Sequence, residues 1–152
     1  MAQRLNIDVV ARDKTKQALG SVQGALAKVK GAVFNLQNAF IGLGAIGKPM
    51  SKRLIDNGYE LNLYQRNKQK KEDNRKYFAD PKDAVTDCDG LLICVTDDDA
   101  VESVLFGDNG VAENLKPNSF VIDFSTISPH KSISIHKVLG EKNILYVDCP
   151  VS

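Results

Sequence analysis

Three glycines follow a short apolar stretch and precede a helix-like pattern near residue 42. Phe40 and Ile41 come first, and Gly42, Gly44 and Gly47 then give the spacing G-x-G-x-x-G. In such a turn the first glycine allows the chain to leave a strand sharply, the second lets phosphate approach the backbone, and the third lets the helix pack closely. Free N–H groups at the helix start attract an anion. The motif therefore predicts a dinucleotide site, with a plain strand–turn–helix as the alternative.

The residues after the second apolar stretch select the nucleotide. Gln65 lies 18 positions beyond Gly47, where an acidic residue would bind the ribose hydroxyls of NAD. Gln65, Arg66 and Asn67 present no carboxylate to repel a 2′-phosphate, and the Arg66 guanidinium offers it a charge-assisted fork. The sequence therefore predicts NADP in preference to NAD. The alternative is that Arg66 belongs, with the lysines after it, to a solvated helix face.

Two later apolar stretches end in hydroxyl residues. Thr96 follows Leu91–Val95, and Thr126 follows Phe120–Phe124 by two positions. Open parallel sheets bind ligands outside the carboxyl ends of their strands, so we expect Val95 and Thr96 along the cofactor and Thr126 near its nicotinamide end. The predicted cofactor-binding residues are Gly42, Leu43, Gly44, Ala45, Ile46, Gly47, Gln65, Arg66, Asn67, Val95, Thr96 and Thr126.

Other polar residues carry less chemistry. The run Asp97–Asp99 is expected to cap and charge the next helix rather than to bind a metal, and Ser128 before Pro129 is expected to cap another. Cys88, Cys94 and Cys149 lack metal-type spacing and are predicted to be reduced, which favours a cytoplasmic location. No catalytic residue and no metal site are predicted.

Strand-like and helix-like segments alternate from residue 39 onward. Strands are predicted near 39–43, 60–64, 90–95, 119–123 and 144–147. Helices are predicted near 46–57, 68–76, 98–106 and 129–138, with short helical turns near 81–87 and 111–115. Continuous apolar strands suit a parallel sheet covered on both faces. The expected fold is α/β, a Rossmann-like doubly wound sheet, over a predicted domain of residues 39–152.

Residues 1–38 follow a different pattern. They carry six Lys/Arg and two Asp, and an alternating stretch near 4–10 indicates a short strand. An apolar heptad seam of coiled-coil type then extends to Phe40; its members are Leu19, Val22, Leu26, Val29, Val33, Leu36 and Phe40. Residues 3–14 and 30–36 resemble the N-terminus of phage tail tape-measure proteins. That resemblance implies a structural, self-associating chain that forms a homo-oligomer through residues 1–40, against the alternative of an ordinary N-terminal extension.

Composition sets outer bounds. The 152 residues are 43% apolar and 26% charged, with a formal net charge of +1. Those values are ordinary for a globular protein, and the near-neutral charge predicts no nucleic-acid or membrane partner. No apolar run approaches the roughly 18 residues needed to span a bilayer.

Four motifs together resemble the cofactor domain of the 3-hydroxyisobutyrate dehydrogenase family, within the 6-phosphogluconate dehydrogenase-like β-hydroxyacid dehydrogenases. The motifs are residues 40–50, 64–67, 121–129 and 148–152. The resemblance implies hydride transfer between NAD(P) and a small 3-hydroxy acid. It also implies that Thr126 contacts the cofactor near the nicotinamide and that Ser152 opens the segment holding the substrate carboxylate.

Departures from the family pattern limit what this chain is expected to do. The family's catalytic Lys and helical domain would follow Ser152, so we expect cofactor binding without turnover. The region 66–88 looks short for a helix and a third strand. Gln37 and Asn38 are polar where a central strand should begin, so they need partners. A composite origin, joined near residues 38–45, would explain why Phe40 fits both a heptad seam and a strand.

Overall fold

Six parallel strands form one sheet in the computed structural model, which describes residues 37–66 and 76–151. The strands are β1 (Asn38–Ile41), β2 (Leu61–Tyr64), β3 (Tyr77–Phe78), β4 (Gly90–Ile93), β5 (Phe120–Asp123) and β6 (Leu145–Asp148). Their order is β3-β2-β1-β4-β5-β6, and every neighbouring pair is parallel. The chain reverses its direction of travel between β1 and β4, which is where doubly wound sheets bind ligands.

Four α-helices and one 3₁₀ turn connect the strands in the described residues. They are α1 (Gly47–Asp56), α2 (Pro81–Val85), α3 (Asp98–Phe106), the 3₁₀ turn Ala112–Asn114, and α4 (Pro129–Glu141). The connection β1–α1–β2 runs in one direction across the sheet, while β4–α3–β5–α4–β6 runs in the other. Right-handed crossovers therefore place α1 on one face and α3 and α4 on the opposite face.

Side chains of β1 separate the two halves of the core. Ala39 and Ile41 pack with residues of α3 and α4, whereas Phe40 packs with residues of α1. Phe40 is completely buried. Because both faces of the central strands are covered, their sequences are continuously apolar rather than alternating. Burying each of the larger apolar side chains, such as Phe40 and Ile41, contributes roughly 1.5–3 kcal/mol to folding.

A hydrogen-bond network satisfies two polar side chains near the amino-terminal edge of the sheet, those of Gln37 and Asn62. The side-chain amide of Gln37 donates to Asn62 Oδ1 at 3.2 Å. The Asn62 amide donates in turn to the Ala84 carbonyl oxygen at 2.9 Å and to Cys88 Sγ at 3.4 Å. This network joins β1, β2 and α2. Asn62 meets the expected need of Gln37 for a partner, although the sequence did not identify it.

The predicted fold class is confirmed, with two differences in detail. The short strand β3 was not predicted, and it forms because Tyr77 and Phe78 pair with the carboxyl end of β2. The helix predicted near 68–76 falls almost wholly outside the described residues, as do residues 1–36 of the arm predicted at 1–38, with its strand and every seam position except Phe40. The last seam position, Phe40, is wrong as a coiled-coil residue because it lies in the buried strand β1.

Candidate cofactor site

Gly42 and Gly47 occupy positions with no room for a side chain. Gly42 directly follows β1 with φ +100°, and a Cβ there would lie 2.1 Å from the carbonyl oxygen of Cys94. A Cβ on Gly47 would lie 1.9 Å from the carbonyl oxygen of Gly42 and 3.1 Å from Phe40 Cε1. The turn is therefore tight, and α1 packs directly on β1.

Gly44 is different, because a Cβ built there would meet no atom within 4 Å. Gly44, Ala45 and Ile46 are all exposed, and 50% of the Ile46 surface is accessible to solvent. Leu43 instead points into the core on the α1 side of the sheet. The loop thus anchors itself through Leu43 and presents bare backbone to the outside at Gly44.

The start of α1 lacks the side-chain cap that the other helices have. Ile46 occupies its N-cap position without a side-chain hydrogen bond, and no acidic residue lies in the first turn. By contrast, α2, α3 and α4 are capped by Asp80, Asp97 and Ser128. The positive end of the α1 dipole is therefore not neutralised by a side chain of its own, which favours an anion such as pyrophosphate.

The end of β2 lies beside this loop. Tyr64 pairs with Ile41, the last residue of β1. Gln65 follows half-buried, and Arg66 is exposed. Arg66 and the glycine loop thus emerge from neighbouring strands at the same edge of the sheet. Asn67 lies outside the described residues.

Two loops continue the site past β4 and β5. The N–H of Cys94 donates to the Ile41 carbonyl oxygen at 3.0 Å, and the N–H of Phe124 donates to that of Ile93 at 2.8 Å. Beyond these bonds, the half-buried Val95 donates its N–H to Ser125 Oγ at 2.9 Å. The side chains of Thr96 and Thr126 are both exposed at this edge.

Asp98 joins the start of α3 to the start of α4. Its Oδ1 accepts the Ser128 N–H at 2.8 Å, and its Oδ2 accepts the Ser128 hydroxyl at 2.5 Å. These two bonds hold the pKa of Asp98 below its ordinary value. Asp97 caps α3 by accepting the Ala100 N–H at 2.9 Å, as the sequence predicted. The sequence did not predict the bridge from Asp98.

A second unpredicted feature is the buried carboxylate of Asp123, which has no exposed surface. Its Oδ1 accepts the Ser125 N–H at 2.9 Å, and its Oδ2 accepts the Tyr146 hydroxyl at 3.0 Å. Burial raises the pKa of Asp123 despite these hydrogen bonds. Burial and the nearby Asp123 carboxylate raise the pKa of Tyr146. The available signal was an Asp inside an otherwise apolar strand.

The predicted residues that the structure describes line the carboxyl edge of four adjacent strands. Bare backbone at Gly44 and the α1 terminus suit a pyrophosphate, Arg66 lies on one side, and the Thr96 and Thr126 loops lie on the other. Ser152 falls outside the described residues. Among residues 37–66 and 76–151, no three His, Cys, Asp or Glu side chains are grouped to hold a metal ion.

This fold and edge define a nucleotide-binding domain of the Rossmann type. Residues 37–152 match the family described as the NAD binding domain of 6-phosphogluconate dehydrogenase. The chain belongs to that family of NAD-binding domains. The predicted resemblance to the 6-phosphogluconate dehydrogenase-like group is thereby confirmed, and the 3-hydroxyisobutyrate dehydrogenase relative below confirms the narrower one.

Curated relatives agree with this assignment. The chain is 38% identical over 117 residues to the oxidoreductase YfjR of Bacillus subtilis (strain 168), covering 74% of this chain and 41% of that protein. It is 34% identical over 117 residues to the mitochondrial 3-hydroxyisobutyrate dehydrogenase of Rattus norvegicus, covering 74% of this chain and 35% of that protein. The chain thus spans about two fifths of the length of these relatives.

A solved structure matches the same region. Psf3 in complex with NADP+ and 2-OPP superposes with a TM-score of 0.70 at 25% identity, covering 76% of this chain and 42% of that one. No helix in the described part of the chain is long and apolar enough to cross a membrane. These comparisons lend no support to the tape-measure resemblance of residues 1–38.

Proposed function

We propose that the chain binds NADP in preference to NAD at the carboxyl edge of β1, β2, β4 and β5. The observation that carries the proposal is the glycine loop, where side chains are excluded at Gly42 and Gly47 but backbone is open at Gly44. Such a surface admits a pyrophosphate close to the N–H groups of α1. The proposed cofactor-binding residues are those predicted from the sequence, Asn67 included.

The preference for NADP rests on the residues after β2. Gln65 and Arg66 emerge beside the glycine loop, and the Arg66 side chain is exposed. A planar guanidinium binds phosphate with two parallel charge-assisted hydrogen bonds. The absence of a carboxylate at 65 and 66 also removes the group that would repel a 2′-phosphate.

For the whole protein we propose hydride transfer between NAD(P) and a small 3-hydroxy acid. The rat relative is named a 3-hydroxyisobutyrate dehydrogenase, and the bound nicotinamide supplies or accepts the hydride. In this chain, Val95, Thr96 and Thr126 would orient the nicotinamide half, and Ser152 would bind the substrate. The chain spans about two fifths of the relatives' length, so this activity is proposed for the whole protein.

A cytoplasmic location and a homo-oligomer complete the proposal. The three cysteines are free in the structure, and Cys88 is buried, which is typical of a reducing compartment. The proposed oligomer uses the heptad seam of residues 19–36, so its stability should depend on that seam. Sedimentation of the chain, compared with a variant carrying Leu26→Asp, measures this directly.

The test of the cofactor preference is a fluorescence titration with NADPH and NADH at one fixed ionic strength. Arg66→Gln should weaken NADPH binding about tenfold, since one charge-assisted contact contributes about 1.5–3 kcal/mol. NADH binding should stay within about twofold, because NADH lacks the 2′-phosphate. Lys52→Gln is the matched control, since Lys52 is an exposed cation paired with Asp56 on α1. Equal weakening of both cofactors by Arg66→Gln would refute the assigned role.

A further inference from the structure

Two hydrogen-bond links join the loop after β4 to the loop after β5. The first is the hydrogen bond from the Val95 N–H to Ser125 Oγ at 2.9 Å. The second is the pair of bonds from Ser128 to the Asp98 carboxylate, at 2.8 Å and 2.5 Å. The positions of the two loops are therefore coupled at both ends of a short stretch.

The two threonines proposed to face the nicotinamide half lie between these hydrogen-bond links. Thr96 lies between Val95 and Asp98, and Thr126 lies between Ser125 and Ser128. Both threonines are exposed, so neither is held by packing of its own side chain into the core. The separation of their loops is instead set by the hydrogen-bond links on either side of the threonines.

The hydrogen-bond link between Asp98 and Ser128 uses both carboxylate oxygens of Asp98. Ser128 brings two donors, its N–H and its hydroxyl, and one ionised carboxylate accepts both. Ser128 also accepts the Lys131 N–H at 3.3 Å, so the same hydroxyl caps α4. The cation of Lys131 lies near Asp98 and is itself paired with Glu102. The start of α4 is thereby fixed to the start of α3.

We propose that Asp98 is a positioning residue for the nicotinamide half of the cofactor, acting through Ser128 on the loop that carries Thr126. The inference rests on the proposed function and deepens it. Asp97 and Asp99 do not share this role: Asp97 caps its own helix and accepts the Thr96 hydroxyl within its own loop, so it does not join the two loops, and Asp99 is exposed. Asp98 touches no cofactor atom in this account; it sets the spacing of the residues that do.

The test compares the whole cofactor with a fragment of it. NADPH spans the glycine loop and both threonine loops, whereas adenosine 2′,5′-bisphosphate carries the 2′-phosphate and adenosine but no nicotinamide. Both ligands are titrated into wild type, Asp98→Ala, Ser128→Ala and the double variant. Asp99→Ala is the matched control, since it removes an equal charge from the same helical turn.

Asp98→Ala should weaken NADPH binding about tenfold, the loss expected for a hydrogen bond to a charged group. Binding of the bisphosphate should stay within about twofold, and Asp99→Ala should leave both ligands unchanged. The double variant should lose no more NADPH affinity than either single variant, because both changes break the same hydrogen-bond link. Bound bisphosphate also reports that each variant is folded.

Three results would overturn the inference. If the Asp98→Ala change weakened the binding of both ligands equally, Asp98 would be a general stability residue. If NADPH binding were unchanged, the hydrogen-bond link would not affect the cofactor. Additive losses in the double variant would mean that Asp98 and Ser128 act separately. Failure of wild type to bind either ligand would instead refute the proposed function, and the inference with it.

Discussion

The backbone N–H of Val95 donates a hydrogen bond to the hydroxyl oxygen of Ser125 at 2.9 Å. Val95 follows strand β4 and Ser125 follows strand β5, so this bond, together with those between Ser128 and Asp98, joins the loops beyond two central strands. Ser125 is in turn bonded to the buried carboxylate of Asp123, which also accepts the Tyr146 hydroxyl from β6. The exposed edge of the site is therefore supported by a buried polar network.

The Asp123 carboxyl should make stability depend on pH. Burial raises its pKa, so the folded chain keeps a proton that the unfolded chain releases near the ordinary value of about 3.9. Stability should therefore fall as pH rises from that value through the raised one. Asp123→Asn cannot titrate and should lack this contribution.

Urea unfolding between about pH 4 and about pH 8 measures the effect. The stability of wild type minus that of Asp123→Asn should decrease as pH rises. Asp99→Asn, at an exposed position, is the control for changed net charge. An increasing difference would mean that the hydrogen bonds from Ser125 and Tyr146 outweigh burial.

Tyr146 should ionise only when the chain unfolds. Burial and the Asp123 carboxylate raise the pKa of its hydroxyl, so the folded chain keeps the phenol proton while unfolded chains lose it near pH 10. Stability should thus fall as pH rises above about 10.

An ultraviolet titration should show a late tyrosine phase that coincides with unfolding. Tyr146→Phe should remove that phase, and also destabilise the fold by about 1–3 kcal/mol, since it removes the hydroxyl donor to the buried Asp123 Oδ2. A late phase that persists in Tyr146→Phe would contradict the assignment.

Two glycines of the loop should respond to substitution in opposite ways. Gly47→Ala places a Cβ 1.9 Å from the Gly42 carbonyl oxygen, so it should cost about 1–3 kcal/mol of stability. Gly44→Val enters open space and should leave the melting temperature nearly unchanged, yet weaken NADPH binding at least about tenfold, or ~1.4 kcal/mol. Gly140→Val enters equally open space far along α4 and should leave NADPH binding unaltered. Normal NADPH affinity in Gly44→Val would show that the pyrophosphate does not contact this loop.

The compact unit Leu36–Ser152 predicts where the chain tolerates shortening. β1 begins at Asn38 and is paired on both sides, with β2 and with β4. A chain starting at Leu36 should melt cooperatively and bind NADPH as the full chain does. A chain starting at Leu43 lacks the central strand and should not fold. Circular dichroism melting of both compares them, and loss of folding in the longer one would show that residues 1–35 belong to the domain.

The sequence predicted the fold class because its local signals agree with one another. Continuous apolar strands such as Leu91–Ile93, the capping Asp97 and the Ser128–Pro129 pair each mark an element boundary. The helix α3 was predicted at its observed bounds, 98–106. The strand β3 was missed because two residues give no periodicity, and their pairing with β2 is a tertiary contact.

The supporting network of the site was not predicted for a similar reason. The glycine loop is a local motif, so its geometry follows from spacing within a few residues. The Asp98–Ser128 and Asp123–Tyr146 contacts join residues 30 and 23 positions apart, and only the folded sheet brings them together. An Asp inside an apolar strand indicates a buried partner but does not identify Tyr146.

The most direct test of the central claim is a titration of the 152-residue chain with NADPH and with NADH at fixed moderate salt. The account predicts saturable binding of both, with NADPH several-fold tighter, through the Gly44 loop and Arg66. The absence of saturable binding by a chain whose circular dichroism shows a folded α/β domain would contradict it.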